Sequence, residues 1–341
     1  MKNNFLLSIV IPSNNKTSLL VEAINSLFDE LSDEQKKQVE ICISDNSKNN
    51  DTNLAILNII DFHQNLSYRR SLDAPSLDEN TYMVSTMASG KYIWFFGDDD
   101  MVVPKSMKIF LQFLESTEHP IVIVNSQSFY LDNVIQTRRM PITQNIIFQK
   151  DNNNDFLSSM AGYLTYLPCI IIKKDLWDKN YNINTQGTYF SHIDCILRAK
   201  LSSSACFYAD PIIKMRLHSQ TWTEKHFQIW NIFYPKIIWD ADGFSNEAKN
   251  QVINKNPLNK IKRYLSSRAY DRFGLKIWHQ FVRGSQEISF SMKLIAILIA
   301  LTPVWILRNL LIFQIKSFRS KQTMQFCPDL ALALLEKLRS K

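Results

Sequence analysis

Short apolar runs alternate with amphipathic segments along the first 125 residues of this 341-residue chain. The apolar runs predict β-strands, at residues 6–11, 39–44, 66–70, 91–96 and 120–125. The segments between them predict helices, at about 17–31, 51–61, 76–88 and 104–118. Strands that alternate with helices in this way form right-handed βαβ units, so we expect an α/β fold with a parallel sheet.

Polar residues follow three of the predicted strands. Pro12 and Ser13 follow the first strand, Asp45 and Asn46 follow the second, and Asp98–Asp100 follow the fourth. Ligands of parallel α/β sheets bind beyond the carboxyl ends of the strands. Because those ends meet at one edge of the sheet, we predict that the three loops converge there on a ligand site.

The loop after the fourth strand contains three consecutive aspartates, Asp98–Asp100. Adjacent carboxylates repel one another unless a cation or hydrogen-bond donors absorb the charge. Carboxylate oxygens suit Mg²⁺ or Mn²⁺, and a metal bound there would in turn bind a diphosphate. For the acidic run taken alone, a solvated turn is the alternative interpretation.

Three segments together resemble the signatures of family two glycosyltransferases, whose fold is GT-A. In chain order they are Ser8–Asn15, Glu40–Ser47 and Ala88–Asp100. The form of the third segment, with Gly97 directly before the aspartates, resembles the branch that includes abequosyltransferases and other O-antigen or capsule transferases. The resemblance covers about residues 5–220 and depends on the order and spacing of all three segments. One departure is Ala74-Pro75-Ser76, which stands where the family usually has Asn-x-Gly.

The resemblance implies transfer of a sugar from a nucleotide-diphosphate-sugar donor to a lipid-linked or polysaccharide acceptor. It implies that Asp45 accepts a hydrogen bond from the base or ribose of the donor, and that Pro12 and Ser13 line the nucleotide pocket. Asp99 and Asp100 best match the Asp-x-Asp motif and are expected to hold Mn²⁺ or Mg²⁺ against the diphosphate. Further donor contacts are expected from Asn46, Asp78, Asn80, Asp98, Asp99 and Arg216, with His218 as an additional metal ligand.

The catalytic base is expected in the second half of the resembling region. Inverting enzymes of this type use an Asp or Glu there to deprotonate the acceptor hydroxyl. Asp194 is the expected base and His192 is the alternative. Without the resemblance, Asp194 is an acidic residue in the first turn of a helix, where it interacts favourably with the helix dipole. For Arg216 and His218, a surface arginine and an ordinary histidine are the alternatives.

The positive charge of the chain is concentrated towards its end. Residues 255–321 contain 13 Lys and Arg against 2 acidic residues, whereas residues 1–254 contain 23 against 28. Apolar residues at four-residue spacing predict an amphipathic basic helix over about 257–284. The apolar segment at about 292–315 has an uncharged stretch of only 14 residues, 294–307. A spanning helix needs roughly 20 apolar residues, so we predict a shallow hairpin or an in-plane helix at an anionic membrane surface.

These patterns predict a GT-A catalytic domain over residues 1–220 and a helical, membrane-associating region over 221–341. We expect a peripheral or monotopic protein on the cytoplasmic face of a bacterial inner membrane. A basic helix packed on the catalytic domain is the alternative for the tail. Nucleic-acid binding is disfavoured because the tail's aromatic residues fall on the apolar face. The alternative functions are a non-catalytic assembly partner and a sugar-1-phosphate nucleotidyltransferase, although the loop 12–17 lacks the glycines that the latter needs.

Overall fold

The computed structural model describes residues 5–60, 65–74, 76–131, 133–217 and 225–317. The chain divides into two compact units. The first unit comprises Met1–Arg216 with Ala241–Ala248, and the second comprises Leu217–Asp240 with Lys249–Lys341. The domain boundary predicted at residue 220 falls in the segment 218–224, outside the described residues.

The first unit is built on a ten-stranded sheet. Its strands are β1 (Leu7–Ser13), β2 (Val39–Asp45), β3 (Leu66–Arg70), β4 (Tyr92–Phe95), β5 (Met101–Val102), β6 (Ile121–Tyr130), β7 (Asn133–Gln136), β8 (Ile146–Phe148), β9 (Ile170–Lys173) and β10 (Ala205–Arg216). Their order is β3-β2-β1-β4-β9-β6-β10-β5, with β7 beside β6 and β8 beside β10.

The strands predicted from the sequence run in one direction, as expected for βαβ units. β3, β2, β1 and β4 pair in parallel. β9 lies antiparallel between β4 and β6, so β6 runs in the same direction as β4. The α/β fold is therefore confirmed, and the inserted antiparallel strand is a feature that the alternation of the first 125 residues does not indicate.

Eight helices of the first unit are α1 (Thr17–Asp29), α2 (Asp33–Lys36), α3 (Asp51–Ile60), α4 (Leu77–Met87), α5 (Met107–Ser116), α6 (Asn153–Met160), α7 (Lys174–Asn180) and α8 (Ser191–Lys200). All seven residues of β1 are buried, as expected for a strand covered on both faces. On α1, Leu20, Ala23, Ile24 and Leu27 form the buried face. The helix α5 begins three residues later than predicted, because Lys105 has a φ of 66°, outside the helical region.

The described part of the second unit is helical. It contains α9 (His226–Gln228), α10 (Tyr234–Asp240), α11 (Asn246–Val252), which begins in the first unit, α12 (Ile261–Ala269), α13 (Leu275–Ile277), α14 (Phe290–Leu301) and α15 (Val304–Ser317), with π-helical turns at Ile229–Phe233 and Trp278–Val282. Its apolar core is formed by Phe227, Leu258, Tyr264, Phe273, Val282, Ile288, Ala296, Ile299 and Ala300.

The prediction of one amphipathic basic helix over 257–284 is wrong. The segment breaks after α12, where Asp271 has a φ of 59° and Gly274 precedes α13. Residues of the predicted apolar face lie in the core of the second unit instead of facing a membrane; Phe273 is 1% exposed. Most of the predicted apolar face therefore has packed partners within the second unit, although Ile261 is 43% exposed.

Exposed apolar residues lie instead on α14 and α15. Among the described residues no single helix has the length and apolar character to cross a membrane. Only together do α14 and Val304–Leu311, a pair bent by 99°, reach that length and apolar composition. The bend is fixed by Arg268, whose Nε donates to the Thr302 carbonyl at 2.9 Å. On the far side, Arg308 Nε donates to the Ala269 carbonyl at 3.3 Å. These bonds tie both helices of the pair to α12.

Candidate active site

The loops that follow β1, β2 and β4 meet at the carboxyl edge of the sheet. The last residues of β1 and β2 are paired in register. The Asn14 N–H donates to Asp98 Oδ2 at 3.2 Å, which joins the loops after β1 and β4. The Asn15 N–H donates to Ser47 Oγ at 2.7 Å, which joins the loops after β1 and β2. The structure thus brings together the three loops that the sequence predicts to converge.

The ammonium group of Lys16 lies between two carboxylates of this edge. Its Nζ is 3.0 Å from Asp98 Oδ1 and 2.8 Å from Asp99 Oδ2. Burial alone would lower the pKa of Lys16, but attraction to Asp98 and Asp99 raises it above its ordinary value. Sequence reasoning missed this residue. The available signal is a lysine directly before α1, a position that the helix dipole disfavours for a cation.

Asp100 is buried beside this group. The Tyr166 hydroxyl donates to Asp100 Oδ2 at 2.5 Å, and the Arg216 backbone N–H donates to Oδ1 at 3.0 Å. Burial, with repulsion from Asp99, raises the pKa of Asp100 to about 8. Burial also raises the pKa of Asp98 to about 6, against the attraction of Lys16. Burial makes it costly to ionise Asp98 and Asp100, and the hydrogen bonds and Lys16 offset only part of this cost.

Asp45 ends β2 and is fully buried. Ser47 donates to Asp45 Oδ1 from both its backbone N–H and its hydroxyl, and the Tyr68 hydroxyl donates to Oδ2 at 2.9 Å. Both carboxylate oxygens therefore have protein partners. These bonds fix the orientation of the Asp45 carboxylate, and its contact with the donor stays a prediction.

Two enclosed polar atoms at this edge have no hydrogen-bond partner among the described residues. They are Ser13 Oγ and Asn46 Oδ1. The amide nitrogen of Asn46 donates to the Ala74 carbonyl at 2.8 Å. Pro12, which is also expected to line the nucleotide pocket, is a buried residue of β1. An enclosed polar atom without a partner costs free energy that a bound ligand can recover. This geometry fits the predicted nucleotide pocket at Ser13 and Asn46.

Asn80 and Asp78 are hydrogen-bonded within the scaffold of this edge, and their role as donor ligands stays a prediction. Asn80 Nδ2 donates to the carbonyls of Ser13 and Ser44 at 3.2 and 3.0 Å, and its Oδ1 accepts from the Ser44 hydroxyl at 2.6 Å. Asp78 accepts hydrogen bonds from the Tyr189 N–H at 2.7 Å and the Ser191 hydroxyl at 2.8 Å. Burial raises the pKa of Asp78. These two side chains fasten the ends of β1 and β2 and the start of α8.

The two candidates for the catalytic base lie in the first turn of α8. His192 is 3% exposed, its Nε2 lies 3.0 Å from the Leu164 carbonyl oxygen, and burial lowers its pKa to about 4. The His192 ring is therefore enclosed and bonded to a backbone carbonyl, and its alternative role as base stays a prediction. Asp194 accepts from Arg198 Nε at 2.7 Å, a pair one turn apart on α8. Its role as base stays a prediction.

Arg216 ends β10 beside the acidic loop. Besides its backbone bond to Asp100, its Nε donates to the Asp99 carbonyl at 3.0 Å and its Nη2 lies 2.6 Å from Glu22 Oε2. The predicted proximity of Arg216 to the aspartates is therefore present, with Glu22 as its ion-pair partner. The predicted metal ligand His218 lies outside the described residues.

The acidic loop fits a divalent cation that is shared with a diphosphate. Among the described residues, no group of three or more His, Cys, Asp or Glu side chains is arranged to hold a metal by itself. Mg²⁺ is commonly bound by one or two carboxylates together with substrate phosphates, which is the donor set that Asp99 and Asp100 offer. Gly97 keeps this loop tight, since a Cβ there would lie 2.6 Å from Asp100 Oδ2.

Comparison with known proteins shows that this chain is similar to glycosyltransferases. Residues 8–167 match the family Glycosyl transferase family 2. The chain is 27% identical over 271 residues to abequosyltransferase RfbV of Salmonella typhimurium, an alignment that covers 71% of this chain and 79% of that protein. The matched residues 8–167 contain the three loops and Tyr166.

Solved structures of S. aureus TarS share the fold. TarS 1–349 in complex with UDP superposes with a TM-score of 0.55 at 15% identity, over 81% of this chain and 77% of that chain. TarS 1–349 in complex with UDP-GlcNAc gives a TM-score of 0.55 at 15% identity, over 84% of this chain and 82% of that chain. These likenesses support the GT-A fold expected from the sequence.

Proposed function

Since this chain is a glycosyltransferase with a family 2 domain at residues 8–167, we propose that it uses a nucleotide-diphosphate-sugar donor. The acceptor is a lipid-linked or polysaccharide glycan, in the assembly of an O-antigen or capsule type of surface polysaccharide. Support for the pathway comes from similarity to an abequosyltransferase. Support for the donor comes from the TarS complexes with UDP and UDP-GlcNAc.

The observation that carries this proposal is the convergence of three loops on the acidic edge. Asn14 and Lys16 of the first loop contact Asp98, and Lys16 also contacts Asp99. The unpartnered atoms of Ser13 and Asn46 lie at the ends of the neighbouring strands. A nucleotide placed there would meet polar groups on one side and carboxylates on the other.

Asp99 and Asp100 would hold Mn²⁺ or Mg²⁺ in this enzyme. The cation, when bound, neutralises the charge that develops on the leaving diphosphate. Asp100 is positioned for this by Tyr166 and by the backbone of Arg216. Lys16 offsets the charge of Asp98 and Asp99, so three adjacent carboxylates remain together without a ligand.

Asp194 is our candidate for the base that deprotonates the acceptor hydroxyl, in an inverting transfer. Its carboxylate is 8% exposed and is oriented by Arg198. The ion pair with Arg198 fixes the position of one carboxylate oxygen, and a fixed position is the first requirement for a catalytic base. No proton transfer is assigned to His192, because its ring is enclosed and bonded to a carbonyl.

The donor proposal is tested by thermal shift with UDP-, CDP-, GDP- and dTDP-sugars, each with and without Mn²⁺. We expect one class to raise the melting temperature, and the rise to require the metal. Asp100→Asn should abolish the metal-dependent part. Asp33→Asn is the matched control, because the Asp33 side chain is 98% exposed on α2. If no nucleotide-sugar stabilises the wild-type protein, the donor proposal fails.

The base proposal needs a variant that separates charge from structure. Asp194→Asn and Arg198→Gln both break the same ion pair, but only the first removes the carboxylate. We expect Asp194→Asn to bind donor normally and lose turnover by at least about a hundredfold. Arg198→Gln should keep most of the turnover. Equal losses in the two variants would assign the pair a structural role.

We further propose that α14 and α15 place the enzyme on an anionic membrane surface, at the cytoplasmic face of the inner membrane. An apolar stripe supports this: Phe290, Leu294, Leu298, Leu301 and Trp305 are 76, 50, 66, 58 and 66% exposed. On α14 the spacing of four, four and three residues puts Phe290, Leu294, Leu298 and Leu301 on one helical face, and Trp305 follows on α15. Excess basic charge in residues 255–321 complements anionic headgroups.

Vesicle sedimentation tests this surface. Leu298→Glu should lower binding to vesicles of phosphatidylglycerol and phosphatidylcholine, and so should Trp305→Glu. The control is Ile109→Glu on α5, because Ile109 is 63% exposed and lies outside the stripe. Binding of duplex DNA but not of vesicles would refute the membrane assignment.

A further inference from the structure

Arg139 is a cation beside the acidic edge with no role in the function proposed above. Its backbone position is fixed on both sides. The Arg139 N–H donates to the Ser126 carbonyl at 2.8 Å. The next residue, Met140, exchanges two hydrogen bonds with the Asn125 side chain, at 2.9 and 3.1 Å. The loop after β7 is therefore fastened to β6 at this point.

The guanidinium of Arg139 is held by aromatic rings instead of by a carboxylate. Its Cζ lies 4.8 Å from the Tyr166 ring centroid and 5.3 Å from the Tyr163 ring centroid. Its Nη1 is enclosed and has no hydrogen-bond partner in the described part of the chain. Within those residues no acidic side chain lies at ion-pair distance from it, whereas neighbouring Arg138 pairs with Asp210 at 2.8 Å.

An enclosed guanidinium nitrogen without an acceptor is costly, because water has been removed and nothing replaces it. Stacking on two rings fixes the plane of the group and leaves its N–H edge for another partner. Tyr166, which carries this stack, also donates to Asp100 through its hydroxyl at 2.5 Å. Arg139 and Asp100 therefore approach one phenol, one at its face and the other at its oxygen.

We propose that Arg139 binds a phosphate group of a substrate through this unpartnered edge. The inference rests on the proposed function, in which the donor carries a diphosphate and a lipid-linked acceptor would carry one too. The planar fork of a guanidinium matches two phosphate oxygens, and charge-assisted bonds of this kind are strong. The phosphate belongs either to the diphosphate of the sugar donor or to the diphosphate of a lipid-linked acceptor. In both cases Arg139 neutralises charge beside the face of the Tyr166 ring.

The test measures binding by the full-length chain, using titration calorimetry in the presence of Mg²⁺. The probes are UDP, CDP, GDP and dTDP for the donor, and farnesyl diphosphate for a lipid diphosphate. Arg139→Gln should weaken at least one of these by about tenfold or more. Arg138→Gln is the matched control, since it removes a neighbouring arginine that already has an acidic partner, and it should change each affinity less than about twofold.

The pattern of losses identifies the source of the phosphate. A loss confined to a nucleoside diphosphate assigns Arg139 to the donor, and a loss confined to farnesyl diphosphate assigns it to the acceptor. Unchanged affinity for all probes, with a lower melting temperature of Arg139→Gln, would overturn the proposal and make Arg139 a packing residue.

A second variant protects the test against poor folding. Arg139→Lys keeps the charge but loses the two-pronged geometry, and we expect about threefold weaker binding from it. Wild-type affinity in Arg139→Lys and Arg139→Gln together would exclude phosphate binding. If the wild-type protein binds none of the probes, the donor proposal has failed instead, so the two failures are distinguishable.

Discussion

Replacing Lys16 with methionine removes the ammonium group that lies between Asp98 and Asp99. Methionine keeps most of the length of the side chain, so the change isolates the charge. Removing one partner of a buried ion pair costs about 3–5 kcal/mol. The three side chains are 15, 10 and 15% exposed, so some solvent screening remains. We therefore expect the lower end, a loss of about 3 kcal/mol in the free energy of unfolding near pH 7.5.

The loss of stability should depend on pH, because protonation of Asp98 removes the buried negative charge that Lys16 no longer neutralises. Folding raises the pKa of Asp98 from 3.8 to about 6, so its ionisation destabilises the protein as pH rises through that window. Without Lys16 the pKa of Asp98 rises further, and the cost continues to grow above pH 6 by about 1.4 kcal/mol per pH unit. Over about 1.5 pH units this is about 2 kcal/mol, which leaves a loss of about 1 kcal/mol near pH 5.5.

Urea unfolding of wild type and Lys16→Met at both pH values measures this difference. Lys36→Met is the control, because Lys36 forms an exposed pair with Asp33 at 3.5 Å, and such pairs contribute roughly 0–1 kcal/mol. A loss below about 1 kcal/mol near pH 7.5, or the same loss at both pH values, would refute the electrostatic role of Lys16.

Three further substitutions probe the scaffold. Gly90→Ala places a Cβ 2.7 Å from Ser8 Oγ and 2.9 Å from its backbone nitrogen, and should reduce the unfolding free energy by about 1–3 kcal/mol in urea. Gly97→Ala crowds Asp100 Oδ2 and should weaken Mn²⁺-dependent donor binding by about tenfold, as read by calorimetry. Asp78→Asn turns an amide N–H₂ towards the donors of α8 and should cost about 2–3 kcal/mol in urea unfolding. Wild-type behaviour in any of the three would contradict the corresponding contact.

The sequence predicts the first half of the fold because its elements are locally encoded. The strand at 66–70 has the predicted bounds, and α1 begins at the predicted residue, Thr17. The insertion of β9 between β4 and β6 could not be predicted, because strand order depends on tertiary packing of residues some 80 positions apart. The tail was misassigned for a related reason: apolar spacing predicts a buried helical face without saying what covers it.

The sequence predicted which residues lie near one another at the site better than it predicted what each residue does. Asp98 contacts the loop after β1, and that loop contacts the loop after β2, as expected for parallel strands that end at one edge. Asn80 also lies there, yet its amide is bonded to strand carbonyls, a detail that only coordinates give. Lys16 and Arg139 could not be predicted from the sequence, because neither belongs to a recognisable motif.

The contact between Asp78 and Ser191 spans 113 positions of the sequence. A hybrid enzyme that takes residues 121–216 from a relative, to exchange its acceptor preference, would inherit the two ends of this contact from different parents. Matching residues 78 and 191 is then a rule for choosing crossover partners, since a mismatch detaches the helix that carries Asp194.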